Sequence, residues 1–345
     1  MDGGEQLADG LRETDAPGKA GGILASGGRP DEGGPLGVVL LDHDDTPGAP
    51  EVVRALGPAL IWADRHDLDR LLLLSPPDVA GDLARRAAHF DSGTGSGPES
   101  GPRVEVHAVD GTTLVPAAPA PIAEVPALGD DVWALAEVMR RVEARPVDDH
   151  GRLVAEIDGL EVARVTIDDD EAASLEIGVG QADRELQQLV HGHASADEVL
   201  ERAAGMVRAH RRAGVPLHPL NRLARERWLR SMILDAPAVL GLASAEPVPP
   251  LRPRSTLLGT VPSAAVATTP EGVDVVVVAS VGIDVDVVPE AADYRARTAP
   301  DADLLLVMPP ADIHPALGRQ VGRLARARFV AVTPPWVEGD STETS

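Results

Sequence analysis

Apolar residues gather in short, separated runs along the first hundred or so positions. Residues 37–41 (Gly-Val-Val-Leu-Leu) have the length and continuity of a buried strand. Val52, Val53, Leu56, Leu60 and Ile61 then recur at helical spacing over residues 50–65. Leu71 to Leu74 predicts a second buried strand, followed by Pro76 and Pro77 and a helix carrying Val79, Leu83 and Ala87. A Gly/Ser/Pro loop over 91–101 leads to an alternating strand at 103–109. Strand, helix, strand, helix, strand implies parallel strands joined by helical crossovers. The expectation is a small Rossmann-like α/β domain over 35–128, ended by an Ala/Pro linker at 116–128.

From residue 129 the periodicity changes. Val132, Leu135, Met139 and Val142 stripe a helix expected at 130–144. Asp158-Gly159 joins two β-patterned runs, which is the signature of a two-residue hairpin. A third strand is expected over 173–179, followed by three helices. The second opens with the capping box Ser195-Ala196-Asp197-Glu198 and the third at Pro219. A Pro-rich, irregular insertion is expected at 244–271. Strands at 273–279, 283–287, 304–308 and 328–333, with a helix at 311–326, complete a larger α+β domain over 129–334. Residues 1–34 and 335–345 have no apolar periodicity to offset the entropy of ordering, so a disordered leader and tail are expected.

Composition narrows the chemistry. Of 345 residues 43% are hydrophobic but only 2% aromatic, so the core has to be built from Ala, Val and Leu. There is no Cys, which removes a thiolate nucleophile, a disulfide, an iron–sulfur cluster and Cys-ligated zinc. The single Lys, Lys19, lies in the Gly-rich leader, which removes a Walker-type lysine and a pyridoxal-phosphate Schiff base from the folded part. Haem is not expected either. No run of about 18 apolar residues suggests a membrane span, and no signal-peptide pattern opens the chain, so a cytoplasmic protein without a membrane partner is expected.

Asp42-His43-Asp44-Asp45-Thr46 directly follows the first strand, where doubly wound sheets bind ligands. Asp-x-Asp-x-Thr in this position resembles motif one of haloacid-dehalogenase-like phosphatases. The resemblance implies Asp42 as nucleophile, Asp44 as acid/base and Mg²⁺ between them. Ser75 stands where that family places its phosphate-binding hydroxyl. No Lys follows, leaving Arg85, Arg86 or Arg103 to take its place.

A second set lies in the larger domain. A two-residue Asp158-Gly159 turn sets Glu156 opposite Glu161, a like-charge pair tolerated if solvated, bridged by Arg or holding a cation. Glu176 lies on the third strand. Helix, three antiparallel strands and helix, with acids on the inner strands, resembles the core of the PD-(D/E)XK nuclease superfamily over 130–192. That resemblance implies a metal-dependent phosphodiesterase using Mg²⁺ or Mn²⁺ on Glu156, Glu161 and Glu176, although Glu176-Ile177-Gly178 stands where Glu-x-Lys is the family pattern. Asp284 and Asp286, two apart on an expected strand, are a further metal candidate.

In a chain of net charge −24, the stretch from Arg202 to Arg230 holds eight arginines against Glu226 alone. Such an island suits nucleic acid or a nucleotide, or else docks on acids of its own chain. Arg222 and Arg225, with His218 and Asn221 at the start of the third helix, are the anion-binding candidates. Three polar stretches, Leu175 to Glu185, His218 to Arg227 and Ser280 to Asp293, together resemble an actinobacterial protein family, and that resemblance implies no particular activity. The function expected is a nucleic-acid- or nucleotide-associated protein, as a divergent phosphodiesterase or nuclease. The alternatives are a phosphatase at Asp42 and Asp44 and a non-catalytic binding or scaffold protein.

Overall fold

The structure, a computed structural model, describes residues 12–14, 24–27, 34–41, 52–91, 101–167, 173–180, 183–184, 195–213, 218–254 and 259–337. It is a mixed α/β chain with three sheets, dividing into two compact units. The first unit comprises residues up to Ala123 together with Val285–Asp293 and His314–Arg328. The second takes Glu124–Asp284, Tyr294–Ile313 and the chain from Phe329 onward.

In the first unit β1 (Arg12–Thr14), β2 (Leu24–Gly27), β3 (Leu36–Leu40), β4 (Arg70–Ser75), β5 (Arg103–Asp110) and β6 (Thr113–Pro116) lie side by side in chain order. β3, β4 and β5 are parallel, with α1 (Leu56–Arg65) and α2 (Pro77–Asp91) as the crossovers. This is the Rossmann-like order the pattern predicts. Leu56, Leu60, Leu71, Leu73 and Leu83 are fully buried, which makes a mainly aliphatic core that Trp62 and Phe90 join. Two strands fall inside the expected leader: the described backbone at 12–14 and 24–27 pairs antiparallel, and β2 in turn pairs with β3. Apart from Gly34, the rest of that leader lies outside the described residues. At the other edge, Leu114 and Val115 of β6 are exposed. Pro116, which has no N–H to offer a further strand, ends that edge.

The second unit holds two sheets. β7 (Arg145–Asp148), β8 (Leu153–Ile157), β9 (Leu160–Ile167) and β10 (Ala173–Ile177) form an antiparallel meander. Its apolar face packs on α3 (Asp130–Ala134), α4 (Ala136–Arg141) and α5 (Ala196–His210) through Val132, Met139, Leu160, Leu200 and Val207. The helix expected at 130–144 is thus two short ones, joined at Leu135 by i→i+3 bonds from Leu135 and Val138. The Asp158-Gly159 turn is as expected, with both residues at positive φ (47° and 72°), the requirement of a type I′ hairpin. The capping box is complete: Ser195 Oγ accepts from Glu198 N–H while Glu198 accepts from Ser195 N–H.

The third helix differs from expectation. Pro219–Arg222 is a 3₁₀ turn, and the α-helix proper, α6, runs from Arg225 to Asp235 after a left-handed Ala224. The expected irregular insertion contains β11 (Ser244–Pro247) and β12 (Ser263–Thr268). Small residues such as Ala264, Ala265 and Ala267 fill β12, so its burial leaves little hydrophobic contrast. β11 and β12 join β13 (Asp274–Ala279), β14 (Asp303–Met308) and β15 (Ala327–Ala331) in a five-stranded sheet. α6 covers this sheet with Leu229 and Ile233. Residues 283–287 are not a strand. Gly282 at φ 80° ends the extended run, and a turn at Val285-Asp286 enters α7 (Val287–Thr298), whose first turn accommodates Pro289. A 3₁₀ turn at Pro310–Asp312 and α8 (Pro315–Gly322) replace the single helix expected at 311–326. Among the described residues no helix is long and apolar enough to cross a membrane.

Candidate anion-binding site

The hairpin places Glu156 directly opposite Glu161 in the β8–β9 register, as the turn requires, with a bulge just beyond. Both carboxylates are buried, at 4% and 5% exposure, so solvent does not relieve their repulsion. Arginines do. Glu156 accepts from Arg227 (3.2 Å) and Arg230 (2.5 Å) on α6, and Arg227 also reaches Asp149 at 2.6 Å. Burial opposes the Arg227 charge, but Glu156 and Asp149 outweigh it and raise its pKa. Burial likewise opposes ionisation of Asp149, and Arg227 overcomes it and lowers that pKa. Glu161 accepts from Arg164 (2.6 Å) and Arg184 (3.1 Å). Arg184 also stands 3.8 Å from Glu176, which is only half-buried. The three candidate acids thus take different arginines: Glu161 and Glu176 meet at Arg184, while Glu156 is held by Arg227 and Arg230 of α6, with Glu161 close enough to add to the field on Arg227.

These carboxylates do not suit a divalent cation. Glu156 and Glu161 are each occupied by two guanidinium groups, and among the described residues no group of three or more His, Asp or Glu is arranged to hold a metal ion. The cavity beside Glu156, walled by Asp148, Asp149, Arg227, Arg230 and Arg254, has room for about one water. The Nε atoms of Arg230 and Arg254 have no acceptor among the described residues, which is where such a water would bond. Arg254 itself pairs with the buried Glu226.

In the first unit, Asp42 and Asp44 lie outside the described residues. Ser75 is described: it ends β4 beside the carboxyl end of β3, and it is wholly buried, its hydroxyl directed to Pro76 O at 3.4 Å. Of the arginines weighed as substitutes for a lysine, Arg85 and Arg86 both hold Asp293, at 3.1 and 2.9 Å, and Arg103 is exposed beside Glu105. Asp284 and Asp286 do not share a strand face, because residues 283–287 are not a strand. Asp286 accepts from Gly57 N–H at 2.9 Å and from Arg86 at 2.7 Å. Burial raises the Asp286 carboxyl pKa to about 7 despite Arg86. Burial works against ionised Asp293 too, but His89, Arg85 and Arg86 hold its pKa down to about 2.

The arginine island splits into two parts. Arg227 and Arg230 serve the Glu156 network. Arg208 pairs with Glu143 (3.5 Å) and Glu201 (3.7 Å), while Arg211, Arg212, Arg222 and Arg225 lie from the end of α5 to the start of α6 and make a basic corner. Arg211, buried, donates to the carbonyls of Leu220 (3.3 Å), Leu223 (2.9 Å) and Ala224 (3.2 Å). Burial lowers its pKa to about 10, so it stays protonated at neutral pH. His210 stacks face to face on His218, with centroids 3.9 Å apart and rings 7° from parallel. Arg212 follows Arg211 and Arg222 ends the 3₁₀ turn; both are exposed and have no ion-pair partner among the described residues. Arg225 donates from Nε to Asn221 O (2.8 Å) and lies 5.0 Å over the Trp336 ring. Trp336 leans on Trp228 at 5.6 Å, and Arg211 covers Trp228 at 4.5 Å.

Of the four anion-binding candidates, Arg222 and Arg225 are at this surface and His218 is half-buried. Asn221 is 3% exposed, too deep to meet an external ligand directly. The helix N-terminus invoked for them is absent, because Pro219–Arg222 is a single 3₁₀ turn whose first free N–H, Leu220, is taken by His218 Nδ1. Pattern reading did not find Arg212, Arg211 or Trp336 as parts of one site; the pairing of a Trp near the chain's end with Arg225 has no local sequence signal. No protein-family model, curated protein or solved structure matches this chain.

Proposed function

We propose that the protein binds phosphate-bearing ligands, nucleic acid or nucleotide, at the basic corner formed by Arg212, Arg222 and Arg225, and that it does so as a binding protein rather than a phosphodiesterase. One observation carries the reading: in a chain of net charge −24, exposed Arg212 and Arg222 have no ion-pair partner among the described residues, while Glu156 and Glu161 are neutralised by other arginines. Half-exposed Trp336 and the stacked imidazoles add ring surfaces beside the cations, a combination that suits single strands. The nuclease-like reading loses support because Glu156 and Glu161 are each occupied by two arginines. The phosphatase reading keeps only the shared sheet edge of β3 and β4, and the burial of Ser75 counts against it as a phosphate ligand.

The test is fluorescence anisotropy with a short labelled single strand and with a labelled nucleotide, from about 50 to about 200 mM salt. Arg212→Ala with Arg222→Ala is expected to weaken binding and to flatten the salt slope by roughly 1.4, two single-strand phosphate contacts' worth. Wild-type protein that binds neither probe at the lowest salt, or a double variant with unchanged affinity, refutes the proposal.

A further inference from the structure

We infer that Asp158, in the turn of the β8–β9 hairpin, gives the basic corner a preference for guanine over the other bases. This rests on the corner's being a nucleotide or nucleic-acid site, as proposed above, and names the base it selects.

Position is the first support. Gly159 packs so closely on α6 that an added Cβ would stand 2.5 Å from the Trp228 nitrogen. The turn is therefore seated beside Trp228, the residue whose ring Arg211 covers at 4.5 Å. Among the carboxylates whose field acts on Arg211, Asp158 is the strongest, ahead of Glu156 and Glu226.

An open carboxylate is the second. The Asp158 side chain has no hydrogen bond or ion pair among the described residues. Nearby Arg211 donates to three carbonyls instead. Asp158 is half-buried, so a ligand can reach it. The turn does not require its charge: both turn residues sit at positive φ, which Asn-Gly serves as well as Asp-Gly in a type I′ hairpin. Burial raises the Asp158 pKa and Arg211 works against the rise, so donors brought by a ligand would stabilise the ionised form.

Complementarity is the third. On the edge that a single strand leaves unpaired, guanine presents two adjacent donors, N1–H and the N2 amino group, which match the two oxygens of one carboxylate. Adenine and cytosine set one amino group beside a ring-nitrogen acceptor, and uracil sets one N–H between two carbonyls. Each of those turns a lone pair toward the second carboxylate oxygen. Guanine O6 and N7 are in turn the acceptors that arginine reads most often. A corner of arginines with one open carboxylate thus suits guanine on both edges.

Competition against whichever labelled probe wild type binds, at low salt and on the full chain, tests this. The competitors carry guanine, hypoxanthine, adenine or cytosine, as monophosphates against the nucleotide or at one position of a thymine strand against the strand. Hypoxanthine keeps N1–H, O6 and N7 of guanine and lacks only the N2 amino group. The guanine competitor is expected to be about tenfold more effective than the other three. Asp158→Asn keeps the turn and is expected to bring guanine down to the level of hypoxanthine, with the melting temperature little changed. Asp158→Gly, which the positive φ also accommodates, should do the same. Equal competition by all four bases on wild type, or a guanine preference that survives both variants, overturns the inference and leaves the corner's function intact. A preference lost only together with a collapse of the melting temperature in both variants assigns Asp158 to the fold and overturns the inference as well. Wild type that binds neither labelled probe overturns the functional reading, and the inference with it.

Discussion

Arg227 and Arg230 on one side, and Arg212 and Arg222 on the other, come from one arginine-rich stretch, yet the fold treats them differently. The first two enter α6, which packs on the five-stranded sheet and passes the Asp158–Gly159 turn, and there they meet Glu156 and Asp149 out of water. The second two are exposed, Arg212 just past the end of α5 and Arg222 at the end of the 3₁₀ turn, and neither has an ion-pair partner among the described residues. Composition alone assigns all of them one role. Position separates them: arginines on a helix face that buries leucines have to bring their counter-charge with them, and arginines at an element's end do not. The same logic operates in the first unit, where α2 turns Arg85 and Arg86 toward Asp293 and Asp286. Both units thus neutralise buried acids with arginine, a residue whose planar fork serves two carboxylates at once.

The sharpest way to break the comparison is to remove the counter-charge. Glu156→Ala leaves Arg230 without its carboxylate and Arg227 with Asp149 alone, in a site too small for bulk water. Stability in urea denaturation is expected to fall by about 3–5 kcal/mol. A loss below about 1 kcal/mol would mean that the network is solvated and that the division drawn between the two halves of the stretch is wrong. Gly159→Ala attacks the same network through the backbone. Gly159 sits at φ 72°, and a Cβ there would stand 2.2 Å from the Arg227 carbonyl carbon. The left-handed conformation alone costs a non-glycine residue of order 1–3 kcal/mol. The backbone clash also has to push α6 away from the hairpin, so the expected loss lies at or above the upper end of that range.

Titration separates the two acids of the first unit. The Asp286 pKa is raised in the fold to about 7, above its ordinary value of 3.8. Between those values the folded protein binds more protons than the unfolded chain, so Asp286 makes stability rise on acidification from about pH 7 toward pH 4. Asp293 has the opposite sign: with its folded pKa near 2, its contribution is present above 3.8 and disappears as pH falls toward 2. Melting temperatures of wild type and Asp286→Asn across pH 4 to 8 test the first statement. The wild type's advantage is expected to shrink steadily as pH rises through 7; a constant difference would show that Asp286 stays ionised, held by Arg86 and Gly57 N–H.

Local rules made much of this fold legible. The crossovers of the first unit follow from apolar spacing in residues 37–109, the type I′ turn from Asp158-Gly159, and the start of α5 from Ser195 and Glu198. Even the Glu156–Glu161 pairing follows, because a two-residue turn fixes register. What settles that pairing does not: Arg227 is 71 residues from Glu156, and Arg86 is 200 from Asp286. Such contacts depend on which helix face turns inward, and periodicity over α6 does not reveal it because buried arginines occupy apolar positions. β12 stayed hidden for a related reason, its alanines being too small to mark a buried strand. The basic corner was legible as a charge excess but not as a geometry. His218 caps a turn instead of a helix, and Trp336 arrives from the far end of the chain.

The smallest expected effect completes the comparison. Arg212→Ala with Arg222→Ala removes two exposed cations that make no ion pair among the described residues, so nothing buried loses a partner. Stability in urea is expected to stay within about 0.5 kcal/mol of wild type. The slope of the denaturation curve should also be unchanged, because neither residue belongs to the core that unfolding exposes. A slight stabilisation at low salt is the expected sign, if any, since Arg211 and Arg225 lie close by and each lost cation removes a like-charge repulsion. Glu156→Ala, measured under the same conditions, is the contrast. Comparable losses from both variants would mean that Arg212 and Arg222 are paired as firmly as Arg227 and Arg230, and the basic corner would then be another internal network rather than a surface open to ligands.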